Sequence, residues 1–283
     1  MIRILSDSTC DLSPELVERY HLTIIPLHVL LGDEDHLDGV DVDQKSIYAW
    51  ADANKTTPHT AGPSVEEIQD FFRPIIENGD EIICFSISES MSNSLNVLKL
   101  AVQILDAEDK ISLINSANLS TGIGLQILHA ADMVNAGKTR QEIVEELARI
   151  CPKVRASFVI DTLTYLYRGG RCSGVAALMG GMLKLHPEII VRDGAMSPSK
   201  KYRGKMNSVY LSYAKDLEEA MKNAYTDRVF VTHTCQDEEG PQAVVEYVKS
   251  LGIFDEVLET HAGGVVASHC GPGTLGVLFI SKE

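Results

Sequence analysis

Four short stretches of the chain gather the side chains that chemistry needs. Residues 6–11 (SDSTCD) carry three hydroxyls and two carboxylates directly after the apolar run at 2–5. Residues 58–64 (PHTAGPS) set Thr60 just ahead of a Gly-Pro turn. Residues 86–94 (SISESMSNS) form a hydroxyl-rich turn that leads into a helical pattern. Residues 268–276 (SHCGPGTLG) hold His269 before Gly-Pro-Gly, a sequence that forces a tight turn and lets backbone approach a ligand closely. Each stretch follows a predicted strand or precedes a predicted helix, and in open α/β sheets ligands bind beyond the carboxyl ends of the strands.

The chemistry these types support is anion binding. A helix N-terminus after residue 92 offers unpaired N–H groups and a partial positive charge. One of Ser92 and Ser94 is expected to cap that helix, which leaves at most one for a ligand. The hydroxyl of Thr60 either points to a ligand or stabilises its own turn, and the two readings weigh about evenly. The first stretch reads most simply as a set of helix caps. His269 alone among the nine histidines has a ligand-like setting, although a lone histidine is more often structural.

Two basic stretches, residues 167–174 (YRGGRCSG) and 200–205 (KKYRGK), stand out in a chain of net charge -15. Solvated surface is the bland reading; contact with a phosphate or a protein partner is the sharper one. Residues 174–186 (GVAALMGGMLKLH) are apolar almost all round. They read as a buried helix or as the wall of a lipid tunnel, with Met179, Met182 and Leu183 as candidates.

Several chemistries find no support. There is no H-E-x-x-H, no Cys/His cluster with zinc spacing, no P-loop, no G-x-G-x-x-G after the first strand and no G-x-S-x-G elbow. No metal and no cofactor are expected. A pI of 5.0 argues against a nucleic-acid partner. The six cysteines are scattered without a C-x-x-C pair, as in a reduced, cytoplasmic protein. No signal-peptide pattern opens the chain, and no apolar run approaches the length of a membrane span, so any membrane contact is expected to be peripheral.

The elements that must position these groups alternate. Strands are predicted at 2–5, 23–31, 81–87 and 110–114, and helices after Ser13-Pro14, after Asp43, at 92–105 and near 120–134. Ser64 with Glu67, and Thr139 with Glu142, form capping boxes for two more helices. This βα alternation predicts a mainly parallel, Rossmann-like sheet over residues 1–155. Residues 156–283 are less regular. Strands at 156–160, 188–191, 198–203, 228–233, 256–260 and 274–281, helices at 207–225 and 242–250, and an Asp193-Gly194 hairpin turn predict a second α/β domain with a mixed sheet.

In their order along nearly the whole chain, the motifs resemble the DegV family, bacterial fatty-acid-binding proteins that serve a fatty acid kinase. DSTCDL resembles that family's D-S-T-x-D-L, IIPLHV with Leu37-Asp38-Gly39 its V-V-P-L-x-V…x-D-G, TAGPS its T-S-x-P-S and SISESMSNSLNV its I-S-x-x-L-S-G-T-Y-x-S. YLYRGGRCS, KLHPEIIVRDG and HCGPGTLGV resemble its L-K-K-G-G-R-I-S, N-I-K-P-I-L-x-x-D-G and H-T-G-P-G-x-L-G. The resemblance implies two α/β domains with a ligand tunnel between them. It implies one long-chain fatty acid whose carboxylate is held by Thr60, Ser92 and His269, with Asn93 at the glycine position of S-G-T. It further implies a partner kinase that receives the presented acid, with Arg171, Lys201 and Arg203 as candidates for kinase docking or phosphate contact, and no catalysis by this chain. Ala61 and Asn93 depart from the family pattern. Two other classes stay open on the residues alone: a hydrolase or phosphotransferase using Ser92 with His269 as base, and a sensor of a smaller anion.

Overall fold

The computed structural model describes residues 1–172, 174–178 and 185–283. The apolar candidates Met179, Met182 and Leu183 lie outside the described residues. In chain order the first part runs β1 (Ile2–Asp7), α1 (Pro14–Arg19), β2 (Thr23–Ile25), β3 (His28–Leu31), β4 (Glu34–Leu37), α2 (Gln44–Asn54), β5 (His59–Ala61), α3 (Val65–Glu77), β6 (Glu81–Ser86), α4 (Ser94–Ile104), β7 (Ile111–Asn115), α5 (Thr121–Asn135) and α6 (Arg140–Ile150). The second part runs β8 (Val154–Val159), α7 (Thr164–Gly169), α8 (Val175–Leu178), β9 (Leu185–Arg192), β10 (Ala195–Arg203), α9 (Met206–Asp216), α10 (Glu218–Lys222), β11 (Ala224–His233), α11 (Glu239–Ser250), β12 (Glu256–His261), α12 (Gly264–Cys270) and β13 (Leu275–Ser281).

Three sheets result. A four-stranded sheet, ordered β2-β1-β6-β7, is parallel throughout. A six-stranded sheet, ordered β10-β9-β8-β13-β11-β12, is antiparallel except for the β11–β12 pair. The expected parallel and mixed sheets are therefore both present. The six-stranded sheet begins at Val154, so a division between 155 and 156 would cut β8. The third sheet, β4-β3-β5, is a small antiparallel one. It arises because the expected single strand at 23–31 is split at Pro26. Proline has no N–H to give to a ladder, and the chain leaves the parallel sheet there to start β3.

The expected caps form. Glu67 N–H donates to Ser64 Oγ at 3.2 Å while Ser64 N–H donates to Glu67 Oε2 at 2.6 Å. Thr139 and Glu142 repeat the pattern, and Asp43 Oδ1 accepts from Ser46 N–H at 2.8 Å. Asp193 and Gly194 have φ of 51° and 79°, the left-handed pair that a two-residue hairpin turn demands. The helix expected over 207–225 is shorter: α9 ends at Asp216, α10 adds a turn, and Ala224 already pairs with Ser281. A ladder partner thus overrides helical propensity at the end of that run.

Helix α5 joins the two large sheets. It packs on β1 and β6 and also on β8, β11 and β13, and most of its residues are buried. The largest apolar cluster accordingly runs without a break from Ile83 and Phe85 through Ile123 and Leu128 to Phe158, Ile189 and Phe230.

Candidate functional site

His269 lies in the last turn of α12, a helix that local sequence does not announce. Its residues, GVVASHC, are few, begin with glycine and include two adjacent β-branched residues, all poor for an isolated helix. Distant carboxylates hold its start. Asp11 Oδ1 accepts from Gly263 N–H at 2.7 Å across 252 positions, and Asp38 Oδ1 accepts from Gly264 N–H at 2.6 Å across 226. Ser120 Oγ donates to Asp11 and Ser8 Oγ to Asp38, each occupying the second carboxylate oxygen. Burial raises the pKa of both acids, against the lowering effect of these hydrogen bonds. The SDSTCD stretch is thus a capping device, as its simplest reading has it: Asp7 likewise accepts from the backbone N–H groups of Thr9 and Ile87.

Thr60 sits at the middle of β5, paired with Val29 of β3, and not in a free loop. The small sheet brings its hydroxyl to the helix end: Thr60 Oγ1 and His269 Nε2 are 2.8 Å apart, and either can donate. On the other side of the imidazole, Gly169 closes α7 so tightly that a methyl there would stand 2.4 Å from His269 Nδ1. Nδ1 is buried without a hydrogen-bond partner. Burial first, then the positive charge of Arg171, hold the His269 pKa down at about 4.

Ser92 precedes α4, which starts two residues later than expected. Its Oγ accepts from Ser94 N–H at 3.2 Å and lies 2.8 Å from Ser94 Oγ. The N-cap position belongs to Asn93, whose side chain makes no cap and accepts from Asn96 Nδ2 instead. Gly62 lets the β5–α3 turn pack on this point, since a methyl there would come 3.0 Å from Ser94 Oγ.

Thr60, Ser92, His269 and Arg171 line one cavity, together with Ala61, Gly62 and the apolar Leu27, Ile87, Met91, Leu119, Met196, Val265, Val266 and Cys270. Its free space, counted together with the solvent at its opening, comes to about 570 Å³. Thr60 and His269 form a polar pair in a lining that is otherwise largely apolar, the arrangement of a site for an amphipathic ligand. Arg171, an exposed residue of the lining, donates from Nη1 to Gly169 O at 2.6 Å. Asn93 is exposed outside this lining. Lys201 and Arg203 are exposed farther along β10. At the rise of an extended strand, Lys201 is about 16 Å along the chain from the lining residue Met196.

The apolar lining is what sequence reasoning missed. Met91, Leu119 and Met196 have the same types and burial as core residues, so no local signal marks them. A second cluster, His233, Glu238 and His261, has donor atoms within 4.8 Å of one another. Cys235 N–H donates to His233 Nδ1 at 3.3 Å, so the ring proton sits on Nε2, which faces Glu259 Oε1 at 3.3 Å. That proton satisfies the carboxylate and occupies the lone pair a metal would use.

A family model described as "Uncharacterised protein, DegV family" matches residues 1–282. The chain belongs to the DegV family. A DegV domain-containing protein of Deinococcus radiodurans is 31% identical over 98% of this chain and 97% of its own. Among solved structures, a fatty-acid-binding DegV family protein from Thermus thermophilus superposes with a TM-score of 0.91 at 26% identity, covering 99% of each chain. A stearic-acid-binding protein from Eubacterium ventriosum does so with a TM-score of 0.87 at 32% identity, covering 100% of this chain and 99% of that one. No described helix is long and apolar enough to cross a membrane.

Proposed function

We propose that this DegV protein is a carrier for one long-chain fatty acid, which it presents carboxylate-first to a partner kinase. The observation that carries the reading is the contact between Thr60 Oγ1 and His269 Nε2 in the lining of a largely apolar cavity that Ser92 also lines. The full-length relatives from Thermus thermophilus and Eubacterium ventriosum are described as fatty-acid-binding and stearic-acid-binding. The carboxylate takes hydrogen bonds from Thr60 and Ser92 and from His269. Arg171 is an exposed residue of the same lining, where a phosphate arriving on the carboxylate would be met by a cation. Lys201 and Arg203 belong to a more distant basic edge for partner contact.

The energetics suit a carrier. Burying roughly 14 methylenes of a C16 chain at about 0.8 kcal/mol each gives an upper bound near ~11 kcal/mol. Association costs about 4–15 kcal/mol, and each hydrogen bond to the charged carboxylate returns about 1.5–3 kcal/mol. The tail supplies most of the affinity, and the polar clasp selects which end is presented. A hydrolase built on Ser92 and His269 is less well supported. It needs His269 bonded to Ser92 and oriented through its other nitrogen, whereas Nε2 faces Thr60 and Nδ1 has no partner.

The test is native mass spectrometry of the purified protein, then delipidation and reloading. A stoichiometric long-chain acid, retained by the wild type and lost from the Ser92→Ala, His269→Ala double variant, is the expected result. A delipidated protein that takes up no acid, or a double variant with unchanged retention, sinks the reading.

A further inference from the structure

The cavity at His269 does not stop behind the polar clasp. Leu119, Val266 and Cys270 line both this cavity and a second, deeper apolar hollow, whose other walls include Ala156, Val191 and Leu278. Ala156, Ser157 and Val191 in turn line a third and larger cleft, walled further by Ile114, Leu147 and Arg192. Three spaces thus share walls in series, from the clasp to the far side of the contact between the two large sheets.

The second and third spaces meet at the end of a ladder. Ala156 and Val191 are register partners in the β8–β9 ladder, and the ladder ends with them, although β8 reaches back to Val154 and β9 on to Arg192. Both belong to the same apolar cluster as Leu119 and Leu147, and the cleft reaches round the end of the ladder, since Ile190 and Phe279 also line it. Ala156, Ser157 and Val191 are the residues the two spaces share. Beyond them the cleft reaches water, since Ala148, Arg155 and Arg192 on its walls are exposed.

We propose that the acyl cavity is open at its far end: the tail of a fatty acid longer than stearic acid passes Ala156 and Val191 and emerges into the cleft between α6 and β8–β9. This rests on the carrier reading above and extends it to very-long-chain acids. Ile114 and Leu147 offer an emerging methylene chain apolar cover, and Arg192 stands where the chain meets solvent. A closed tunnel would behave oppositely. It would set a length limit, and it would reject a charged chain end, because an unpaired buried carboxylate is heavily penalised.

The experiment loads the delipidated full-length protein from cyclodextrin with acids from C14 to C24 and with a C20 α,ω-dicarboxylic acid, and reads one-to-one complexes by native mass spectrometry. The C24 monounsaturated acid and the diacid are expected to be retained within about threefold of stearic acid. Ala156→Leu, which narrows the passage, is expected to lower the ratio of C24 to C16 retention more than tenfold. Retention of C14 to C18 acids with loss of the C24 acid and the diacid from the wild type would overturn the open end and leave the carrier reading standing. That wild-type comparison decides the matter even if the variant fails to fold. Failure of every acid to bind would instead overturn the carrier reading, and this extension with it.

Discussion

Thr60 Oγ1 meets His269 Nε2 at 2.8 Å across 209 positions of sequence. Neither residue is carried by an element stable by itself. β5 is three residues long and depends on β3 for its pairing. α12 depends on Asp11 and Asp38 for its first N–H partners. The hydroxyl–imidazole pair is therefore a readout of the whole fold: the first strand's loop and the Leu37-Asp38-Gly39 turn place the helix, and the small sheet brings the threonine to it.

The hydroxyl of Thr60 can be tested by shape-conserving exchange. Thr60→Val keeps the β-branched form that suits β5 and removes only the hydrogen bond. Losing one bond to a charged carboxylate costs about 1.5–3 kcal/mol, so retention of a C16 acid is expected to fall roughly tenfold or more, with Tm nearly unchanged. Thr60→Ser is expected to restore most of it. Equal retention in Thr60→Val and wild type, measured by fluorescent fatty-acid displacement, would remove Thr60 from the clasp.

Gly169 is expected to be as sensitive as the clasp itself. A methyl at this position would lie 2.4 Å from His269 Nδ1, so Gly169→Ala must move the imidazole away from Thr60. The neighbouring Gly170 provides the control: its φ is 68° with open space around it, so Gly170→Ala strains backbone by about 1 kcal/mol without touching the site. Gly169→Ala is expected to lose fatty-acid retention and Gly170→Ala to lose only stability. The reverse pattern, by displacement assay and thermal melt, would show that the close approach to His269 has no functional weight.

The degree to which the site was legible in sequence follows from where its causes lie. Ser64 with Glu67, and Asp193 with Gly194, act within a few residues, and their caps and turn are where the sequence pattern puts them. Thr60, Ser92 and His269 were distinguishable as polar residues beside turns. The helix under His269 was not, because its N–H partners lie more than 200 positions away. The break at Pro26 was visible as a residue, but its outcome, a separate sheet, depends on β5 arriving beside β3. The lining of Met91, Leu119 and Met196 was illegible for a different reason: facing a cavity and facing a core require the same side chains.

The caps on α12 predict a long-range effect on stability. Asp38→Ala leaves Gly264 N–H and Ser8 Oγ without their acceptor, and a buried donor left unpaired costs about 1–3 kcal/mol. The cost is partly offset, because burial already disfavours the Asp38 carboxylate. A net loss of about 1–2 kcal/mol in urea unfolding is expected, together with weaker fatty-acid retention, although Asp38 does not line the cavity. An unchanged unfolding midpoint would mean that the helix holds its place without this carboxylate.

Proton linkage at His269 gives the last prediction, and its sign differs between the empty and loaded protein. In the empty protein burial holds the His269 pKa at about 4, below the usual value of about 6.5. The unfolded chain then binds the proton more readily, so stability from this residue is present above about pH 6.5 and falls as pH drops toward 4. A bound carboxylate beside Nε2 reverses the balance, because an opposite charge favours the imidazolium. Binding should therefore take up a proton, and retention of a C16 acid should strengthen as pH falls from 8 to 6. Calorimetric titrations in two buffers of different ionisation enthalpy measure that uptake directly. In His269→Gln the uptake should vanish while part of the affinity, supplied by the tail, remains. A wild type that binds with no proton uptake across this range would place the carboxylate away from His269.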